Sequence, residues 1–228
     1  MKKLTERFLA LLGLLTAELA LAGVVFLGAF GLFFYLTRVV FVEHSTTLDN
    51  FAFRQMDELR AAEPSLTAWV RRITFFASAP FLTGAGIVLP SLLAWLKRRR
   101  EALELFLAVL GSTLLNQFLK SHFHRSRPET ALFPQPGLSF PSGHAMIGVA
   151  LYGCAAWLLW RHGRHPFWSA LLLGWALVVG LSRIYLHVHY ATDVLAGFAA
   201  GIVWLVLLRT ALRLWWREQQ QVTIPEEL

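Results

Sequence analysis

Long apolar runs, each close to the length of a membrane-spanning helix, constrain the fold of this chain more than any other feature. Hydrophobic residues make up 56% of its 228 positions, and they are concentrated in separate stretches. Because a helix needs about 20 apolar residues to cross a bilayer, the pattern predicts six spans. They cover residues 8–36, 73–96, 102–119, 145–160, 166–186 and 190–208. The expected fold is an all-α bundle of six transmembrane helices.

The lysines and arginines between these spans predict the orientation of the bundle. They cluster before the first span and after the second, fourth and sixth, at Lys2, Lys3, Arg7, Lys97, Arg98, Arg99, Arg100, Arg161, Arg164, Arg209, Arg213 and Arg217. Six spans put all four clusters on one side, which the positive-inside rule makes cytoplasmic. Both termini are then cytoplasmic. The net charge of +7 is explained by membrane topology, so no nucleic-acid partner is expected.

No repeat or long linker divides the sequence, so residues 1–228 are expected to form a single domain. The first outer connection, residues 37–72, is amphipathic, and residues 48–59 within it predict a surface helix. Its apolar face is expected to include Leu48, Phe51, Met56 and Leu59. Glu18 lies inside the first span, where an ionisable group is costly, so it is expected to face other helices or the inner surface.

Three polar stretches lie at span ends on the opposite side of the membrane. Residues 120–128 read K-S-H-F-H-R-S-R-P, residues 141–144 read P-S-G-H, and residues 182–193 read S-R-I-Y-L-H-V-H-Y-A-T-D. The third and fifth spans end on that side, and the fourth and sixth begin there, so distant segments reach one membrane face. Basic residues are disfavoured on that face, and a bound anion would compensate them.

The residue types in these stretches suit a phosphate group. Arg127 and Arg183 each present a planar fork that can contact two oxygens, and Lys120 adds a point charge. Ser142 can cap the helix that opens at this motif, and Gly143 would let the backbone approach a ligand. The free amides at such a helix start form an anion site. These five residues are the predicted phosphate-binding set.

Two histidines and one carboxylate complete the candidate site. His189 and Asp193 are four residues apart, a spacing that places them on one face of a helix. The carboxylate would fix the imidazole tautomer and leave the other ring nitrogen free to attack phosphorus. His144 is predicted to protonate the leaving oxygen, and water would then release phosphate from a phosphohistidine. No metal is needed, because the cations and helix-start amides can neutralise the transition state.

Each motif taken alone has a simpler interpretation. A basic residue at a span end is usually a snorkelling anchor, and this is the interpretation of Arg71, Arg72 and Arg125. The main local alternative to a phosphate site is a metal site, with ligands from His144, His187, His189 and Asp193. It is ranked lower, because the neighbouring cations would repel a metal ion.

The ordered set Lys-x6-Arg-Pro, Pro-Ser-Gly-His and Ser-Arg-x5-His-x3-Asp resembles the type 2 phosphatidic acid phosphatase (PAP2) family. Its superfamily also includes soluble acid phosphatases and vanadium haloperoxidases. The resemblance implies a PAP2/haloperoxidase-like helical core and metal-independent action, without a cofactor, on lipid phosphates or diphosphates. It makes His189 the nucleophile, Asp193 its partner and His144 the general acid.

The same resemblance assigns phosphate binding to the matching positions, which are Lys120, Arg127, Ser142, Gly143 and Arg183. One departure is visible. His187 stands where bacterial members often carry a small residue, commonly Gly, and it is expected to crowd or acidify the site entrance.

Together these features predict an integral membrane lipid phosphatase of the bacterial cytoplasmic (inner) membrane, with its site facing the periplasm or the outside. The expected substrates are phosphatidylglycerophosphate- or phosphatidate-like lipids and polyprenyl diphosphates such as undecaprenyl pyrophosphate. The alternatives are a lipid A phosphatase or a phosphotransferase with the same site. A non-catalytic anion-binding transporter is less favoured, because transporters often carry inverted repeats and none is visible in this sequence.

Overall fold

The computed structural model describes residues 2–163 and 166–222, with side chains described from residue 17 to residue 216 within those ranges. Of the basic residues that predict orientation, Arg164 and the side chains of Lys2, Lys3, Arg7 and Arg217 lie outside them. The described chain is helical and has no strand. Its helices are α1 Lys2–Phe41, α2 Thr47–Ala62, α3 Leu66–Thr74, α4 Ala79–Trp95, α5 Arg99–Phe123, α6 Gly143–Arg161, α7 Pro166–Tyr185 and α8 Ala191–Val222.

The all-α prediction is confirmed, and the prediction of six spans is confirmed with one change. Five described helices are long and apolar enough to cross a membrane, at Ala17–Phe41, Arg99–Phe123, Gly143–Arg161, Pro166–Tyr185 and Ala191–Trp216. The predicted span 73–96 is instead a bent pair, Leu66–Ala77 with Ala79–Trp95, whose axes differ by 43°. Six spans result when this pair is counted as one.

The bend in this pair lies at Ser78, after a short 3₁₀ turn at Phe75–Ala77. Ser78 has an extended backbone, with φ −63° and ψ 154°, and its hydroxyl accepts a hydrogen bond from Phe81 N at 3.4 Å. Pro80 lies in the first turn of α4. A serine N-cap followed by an early proline starts a new helix. The prediction of one continuous helix was therefore wrong at this point.

Consecutive helices from α4 to α8 are antiparallel. Their connections are short, apart from the longer segment 124–142 that joins α5 to α6. The carboxyl ends of α5 and α7 therefore meet the amino ends of α6 and α8. We call this region the outer end of the bundle. It collects all three polar stretches of the sequence.

Two glycines let α8 pack tightly against α6 near the outer end. A Cβ on Gly197 would lie 2.7 Å from Ser142 O, and a Cβ on Gly201 would lie 2.7 Å from Met146 O. Small residues four apart allow this close approach of two membrane helices. As a result, Ser142 N donates a hydrogen bond to Asp193 O at 3.0 Å, which joins the starts of the two helices.

The predicted surface helix is present as α2. Leu48, Phe51 and Leu59 are exposed, as expected of residues that would face lipid, whereas Phe53 and Met56 turn inward against the core. The inward face also carries a buried carboxylate, which the sequence did not predict.

The carboxylate in the first span also has a partner. Glu18 Oε2 lies 2.7 Å from Arg213 Nη1 of α8. The expectation that Glu18 faces another helix is therefore confirmed.

Candidate active site

The turn after α7 brings Arg183 and His189 together. Val188 N donates to Arg183 O at 3.1 Å, and His187 N donates to Ile184 O at 2.9 Å. These two bonds form a Schellman motif, which ends a helix with one residue in the left-handed conformation. His187 holds that position with φ 54°, where glycine is favoured. This backbone conformation explains why a small residue, commonly Gly, is expected at this position from the resemblance described above.

The side chain of His187 points towards α2. Its ring stacks on Phe53 with centroids 4.2 Å apart, and its Nδ1 lies 3.1 Å from Thr130 Oγ1. Its Nε2 lies 3.3 Å from Asp57 Oδ1. His187 therefore packs beneath α2 and does not crowd the cavity described below, contrary to the expectation from the sequence.

His189 and Asp193 are neighbours, but not for the reason that the sequence suggested. His189 precedes α8, so the two residues do not share a helix. Asp193 lies in the first turn, and its Oδ2 accepts a hydrogen bond from Tyr190 N at 3.0 Å, as the third residue of a capping box does. This bond turns the carboxylate back towards the loop, where its Oδ2 lies 3.4 Å from His189 Nδ1.

The Asp193 carboxylate is completely buried, and both of its oxygens accept hydrogen bonds. It accepts a hydrogen bond from Ser139 Oγ and another from Arg125 Nη1 at 2.5 Å. Arg125 also donates to Asp49 Oδ2 at 2.8 Å. Asp49, on α2 and 1% exposed, accepts in turn from Thr192 N at 2.8 Å. The interpretation of Arg125 as a snorkelling anchor was wrong, because its guanidinium links two buried carboxylates.

Arg127 reveals the tautomer of His189. Its Nη1 lies 3.0 Å from His189 Nε2 and also donates to Val188 O at 2.8 Å. A guanidinium can only donate, so Nε2 is the acceptor and the ring proton is on Nδ1, facing Asp193. Burial lowers the pKa of His189 to about 4, against the opposing effect of Asp193. The ring is therefore neutral at neutral pH, with its lone pair on Nε2.

A cavity of about 560 Å³ at the outer end is lined by His144 and Arg183. Arg183 is 1% exposed, and its Nη1 donates to Thr74 Oγ1 at 2.6 Å. Its Nε and Nη2 have no hydrogen-bond partner among the described residues, and neither has the buried hydroxyl of Ser142. Ser142 is the N-cap residue of α6 but makes no capping bond with its side chain, which corrects the prediction. Buried polar groups are normally paired, so Arg183 at the cavity wall and Ser142 at the start of α6 both hold unused hydrogen-bonding capacity.

The other two predicted phosphate ligands already have protein contacts. Lys120 Nζ donates to Leu138 O. A Cβ on Gly143 would lie 3.0 Å from Asn116 Oδ1, and Asn116 Nδ2 donates to Pro141 O at 3.2 Å. The close approach that Gly143 permits in this structure is to Asn116, whereas the sequence suggested a ligand.

The metal alternative gains no support from the described residues. Within residues 2–163 and 166–222, no group of three or more His, Cys, Asp or Glu side chains could hold a metal ion. His187, one of its candidate ligands, is turned towards α2.

Three contributors to the site were missed by the sequence reasoning, namely Asp49, Arg125 and Ser139. Arg125 lies only two residues before Arg127, which is a signal that could have placed it near the site. Asp49 and Thr192 are 143 positions apart, so no local spacing points to their contact.

The family follows from comparison with known proteins. A model of the PAP2 superfamily matches residues 101–217, which is more than half of the chain and includes all three polar stretches. The chain belongs to the PAP2 superfamily. The predicted family and its class of chemistry, phosphoric ester hydrolysis, are thereby confirmed.

Individual PAP2 proteins show the same likeness. Phosphatidylglycerophosphatase B of Bacillus subtilis (strain 168) is 31% identical over 153 residues, which cover 64% of this chain and 75% of the relative. The putative undecaprenyl-diphosphatase YbjG of Escherichia coli (strain K12) is 28% identical over 152 residues, covering 62% and 73%.

One solved PAP2 structure matches most of the fold. The crystal structure of a transmembrane PAP2-type phosphatidylglycerolphosphate phosphatase from Bacillus subtilis superimposes with a TM-score of 0.72 at 26% identity. It covers 89% of this chain and 98% of that one. With the apolar helices, this match identifies the chain as an integral membrane protein.

Proposed function

We propose that this PAP2 protein hydrolyses phosphate mono- or diphosphate esters of membrane lipids through a phosphohistidine on His189. One observation carries the proposal. A neutral imidazole is held by Asp193 with its Nε2 lone pair free of a proton. Backbone hydrogen bonds from His189 N to Arg183 O and from Ser142 N to Asp193 O connect this pair to Arg183 and Ser142, whose side chains carry buried donors with no partner in the described chain. A tetrahedral oxyanion would satisfy those donors, and orphaned donors are costly without one.

The first step is attack by His189 Nε2 on phosphorus. The substrate phosphate takes over the Arg127 Nη1 contact that Nε2 makes in this structure. An N–P bond forms and the P–O bond to the lipid breaks. His144 gives its proton to the leaving oxygen, and Asp193 stabilises the positive charge that develops on the ring.

The second step regenerates the enzyme. His144, now neutral, takes a proton from a water molecule, whose oxygen attacks phosphorus. The N–P bond breaks, inorganic phosphate leaves, and His189 returns to its neutral form. Through both steps Lys120, Arg127 and Arg183 offset the negative charge on the phosphoryl oxygens, with the Ser142 hydroxyl and the first amides of α6 as further donors.

The location belongs to the same proposal. By the positive-inside rule, the basic clusters favour an outer end on the extracytoplasmic side of a bacterial inner membrane. We therefore expect the substrate to remain in the outer leaflet with its headgroup at the outer end. The names of the two relatives favour a phosphatidylglycerophosphate-like or undecaprenyl diphosphate-like lipid, and phosphatidate belongs to the same chemical class.

A phosphate-release panel tests this function. Purified protein in detergent micelles would be given phosphatidate, phosphatidylglycerophosphate, a polyprenyl diphosphate and lipid A. We expect release from at least one of the first three in the presence of a chelator, and a loss of about 10⁴-fold or more in His189→Ala. His122→Ala, which changes an exposed histidine on α5, is the matched control. Unchanged hydrolysis in His189→Ala would refute the mechanism.

Two further measurements test the intermediate and the membrane face. Rapid acid quenching during turnover of ³²P-labelled substrate should leave label on the native protein and none on His189→Ala. A cysteine introduced at Glu129, in a chain whose buried Cys154 is changed to Ala, should react with an impermeant maleimide from outside intact cells. Reaction only after the membrane is opened would contradict the proposed orientation.

A further inference from the structure

A second cation lines the cavity that contains His144 and Arg183. Arg71, near the end of α3, is a lining residue, as are Phe133 and Gln135. The Arg71 guanidinium lies over the Phe133 ring, 5.5 Å from its centroid. None of the ion pairs in the described part of the chain includes Arg71. An exposed arginine without a carboxylate, on the face where basic residues are disfavoured, is available to an anion.

The neighbouring arginine differs. Arg72 is absent from the cavity wall, and its guanidinium lies over Trp69 of its own helix, 5.1 Å from the ring centroid. The two adjacent arginines therefore have different surroundings, although the sequence interpreted both as anchors.

The position of His144 defines which part of a substrate occupies this cavity. In the proposed reaction His144 protonates the leaving oxygen, so the leaving group lies in the cavity that His144 lines. At about 560 Å³ the cavity is within the size range of sites that bind drug-sized ligands, so it has room for more than the transferred phosphoryl group. Phe75, Ala79 and Pro80, at the bend between α3 and α4, form its apolar side. Phe75 is 54% exposed, which gives an apolar chain a path out to the bilayer.

We infer that Arg71, with Gln135, binds a second phosphate that stays on the leaving group, so that the site favours lipid diphosphates over lipid monophosphates. This inference rests on the proposed function. The terminal phosphorus is attacked by His189, the bridging P–O bond breaks, and the lipid monophosphate that leaves takes its proton from His144. Arg71 acts by neutralising the charge on that leaving phosphate, where a guanidinium can bind two oxygens at once.

The test compares two substrates with the same tail, farnesyl diphosphate and farnesyl monophosphate, on the full-length protein in micelles. Arg71→Gln should lower kcat/KM for the diphosphate about 10-fold or more, as expected for a lost hydrogen bond to a charged group. It should change kcat/KM for the monophosphate less than about 3-fold, and Arg71→Lys should recover part of the loss. Arg72→Gln, which removes the same charge one residue away, should leave the ratio of the two values unchanged.

Two outcomes would overturn the inference: equal losses on both substrates, or a change of the ratio in Arg72→Gln as large as that in Arg71→Gln. The proposed function fails differently, since the unmodified protein would then hydrolyse neither substrate, or His189→Ala would hydrolyse both. Monophosphate turnover by Arg71→Gln also shows that the variant is folded.

Discussion

The two walls of the candidate site differ in how completely the protein satisfies them. On the His189 wall, the Asp193 carboxylate receives hydrogen bonds from Ser139, Tyr190 and Arg125 and also contacts His189. On the second, here called the open wall and defined by Arg183 and Ser142, two guanidinium nitrogens and a hydroxyl have no partner within the described chain. The first wall is therefore organised by the fold, while the second keeps donors that the described protein does not use.

The difference separates the consequences of mutation. A change on the satisfied wall strands a buried partner and should cost stability as well as activity. A change on the open wall removes donors that no described protein group uses, and the only bond lost to a described protein group is the one from Arg183 Nη1 to Thr74. It should cost activity and ligand binding but little stability.

Among the variants that test this difference between the walls, Asp193→Asn is expected to lose the most activity. An amide cannot hold the tautomer with the proton on Nδ1 equally well, and it leaves Arg125 without one of its two carboxylates. Phosphate release should fall about 10³-fold or more, and the thermal midpoint should fall as well. A variant with normal turnover would show that the carboxylate does not orient His189.

Arg183→Gln tests the open wall. Removing two unused donors and a charge should lower kcat/KM about 10²- to 10³-fold. Because Arg183 Nη1 also donates to Thr74, the thermal midpoint should fall slightly, and by less than in Asp193→Asn. Vanadate, a phosphate analogue, should raise the midpoint of the native protein through binding and should fail to do so in the variant. A vanadate shift that survives Arg183→Gln would place the anion elsewhere.

Asp49→Asn tests whether a residue of the satisfied wall that is remote from the reacting atoms also affects turnover. Asp49 contacts Arg125 and Thr192, so its loss should loosen Asp193 indirectly and lower kcat about 10-fold, with little change in KM. Asp57→Asn, on the same helix but outside the carboxylate cluster, is the control. An increase in KM without a change in kcat would indicate a role in substrate binding instead of positioning.

The smallest expected effect comes from two serines that are both fully buried, Ser139 and Ser142. Ser139→Ala removes a donor to Asp193 and should lower the free energy of unfolding by about 1–3 kcal/mol. Ser142→Ala removes an unpaired hydroxyl and should leave stability unchanged or raise it by up to about 1 kcal/mol, although it lowers activity. Thermal midpoints in detergent compare the pair, and equal losses would remove the distinction between the walls.

The sequence predicted the convergence of the three polar stretches because the alternation of spans alone decides which helix ends share a membrane face. It also paired His189 with Asp193, but through a helical spacing that the structure replaces with a capping interaction from Asp193 to Tyr190 N. The proximity was predictable because both geometries place residues four apart within reach.

Other features depended on contacts that no local pattern reports. Asp49 comes from α2 and becomes part of the site only when α2 docks against α8. The bend at Ser78, by contrast, had a visible signal in the serine followed by Pro80, which hydropathy alone overlooks. The two glycines at 197 and 201, four residues apart, could likewise have predicted a close contact between membrane helices.

The bond from Asp49 to Thr192 has a consequence for biogenesis. The Asp49 carboxylate lies 143 positions before the Thr192 amide from which it accepts, so the carboxylate is synthesised first. A chain halted before α8 has no Asp193, and its Arg125 has only half of its acidic partners. Under the proposed mechanism, hydrolytic competence arises only once α8 is in place, so a chain halted before α8 is expected to leave the surrounding lipids intact.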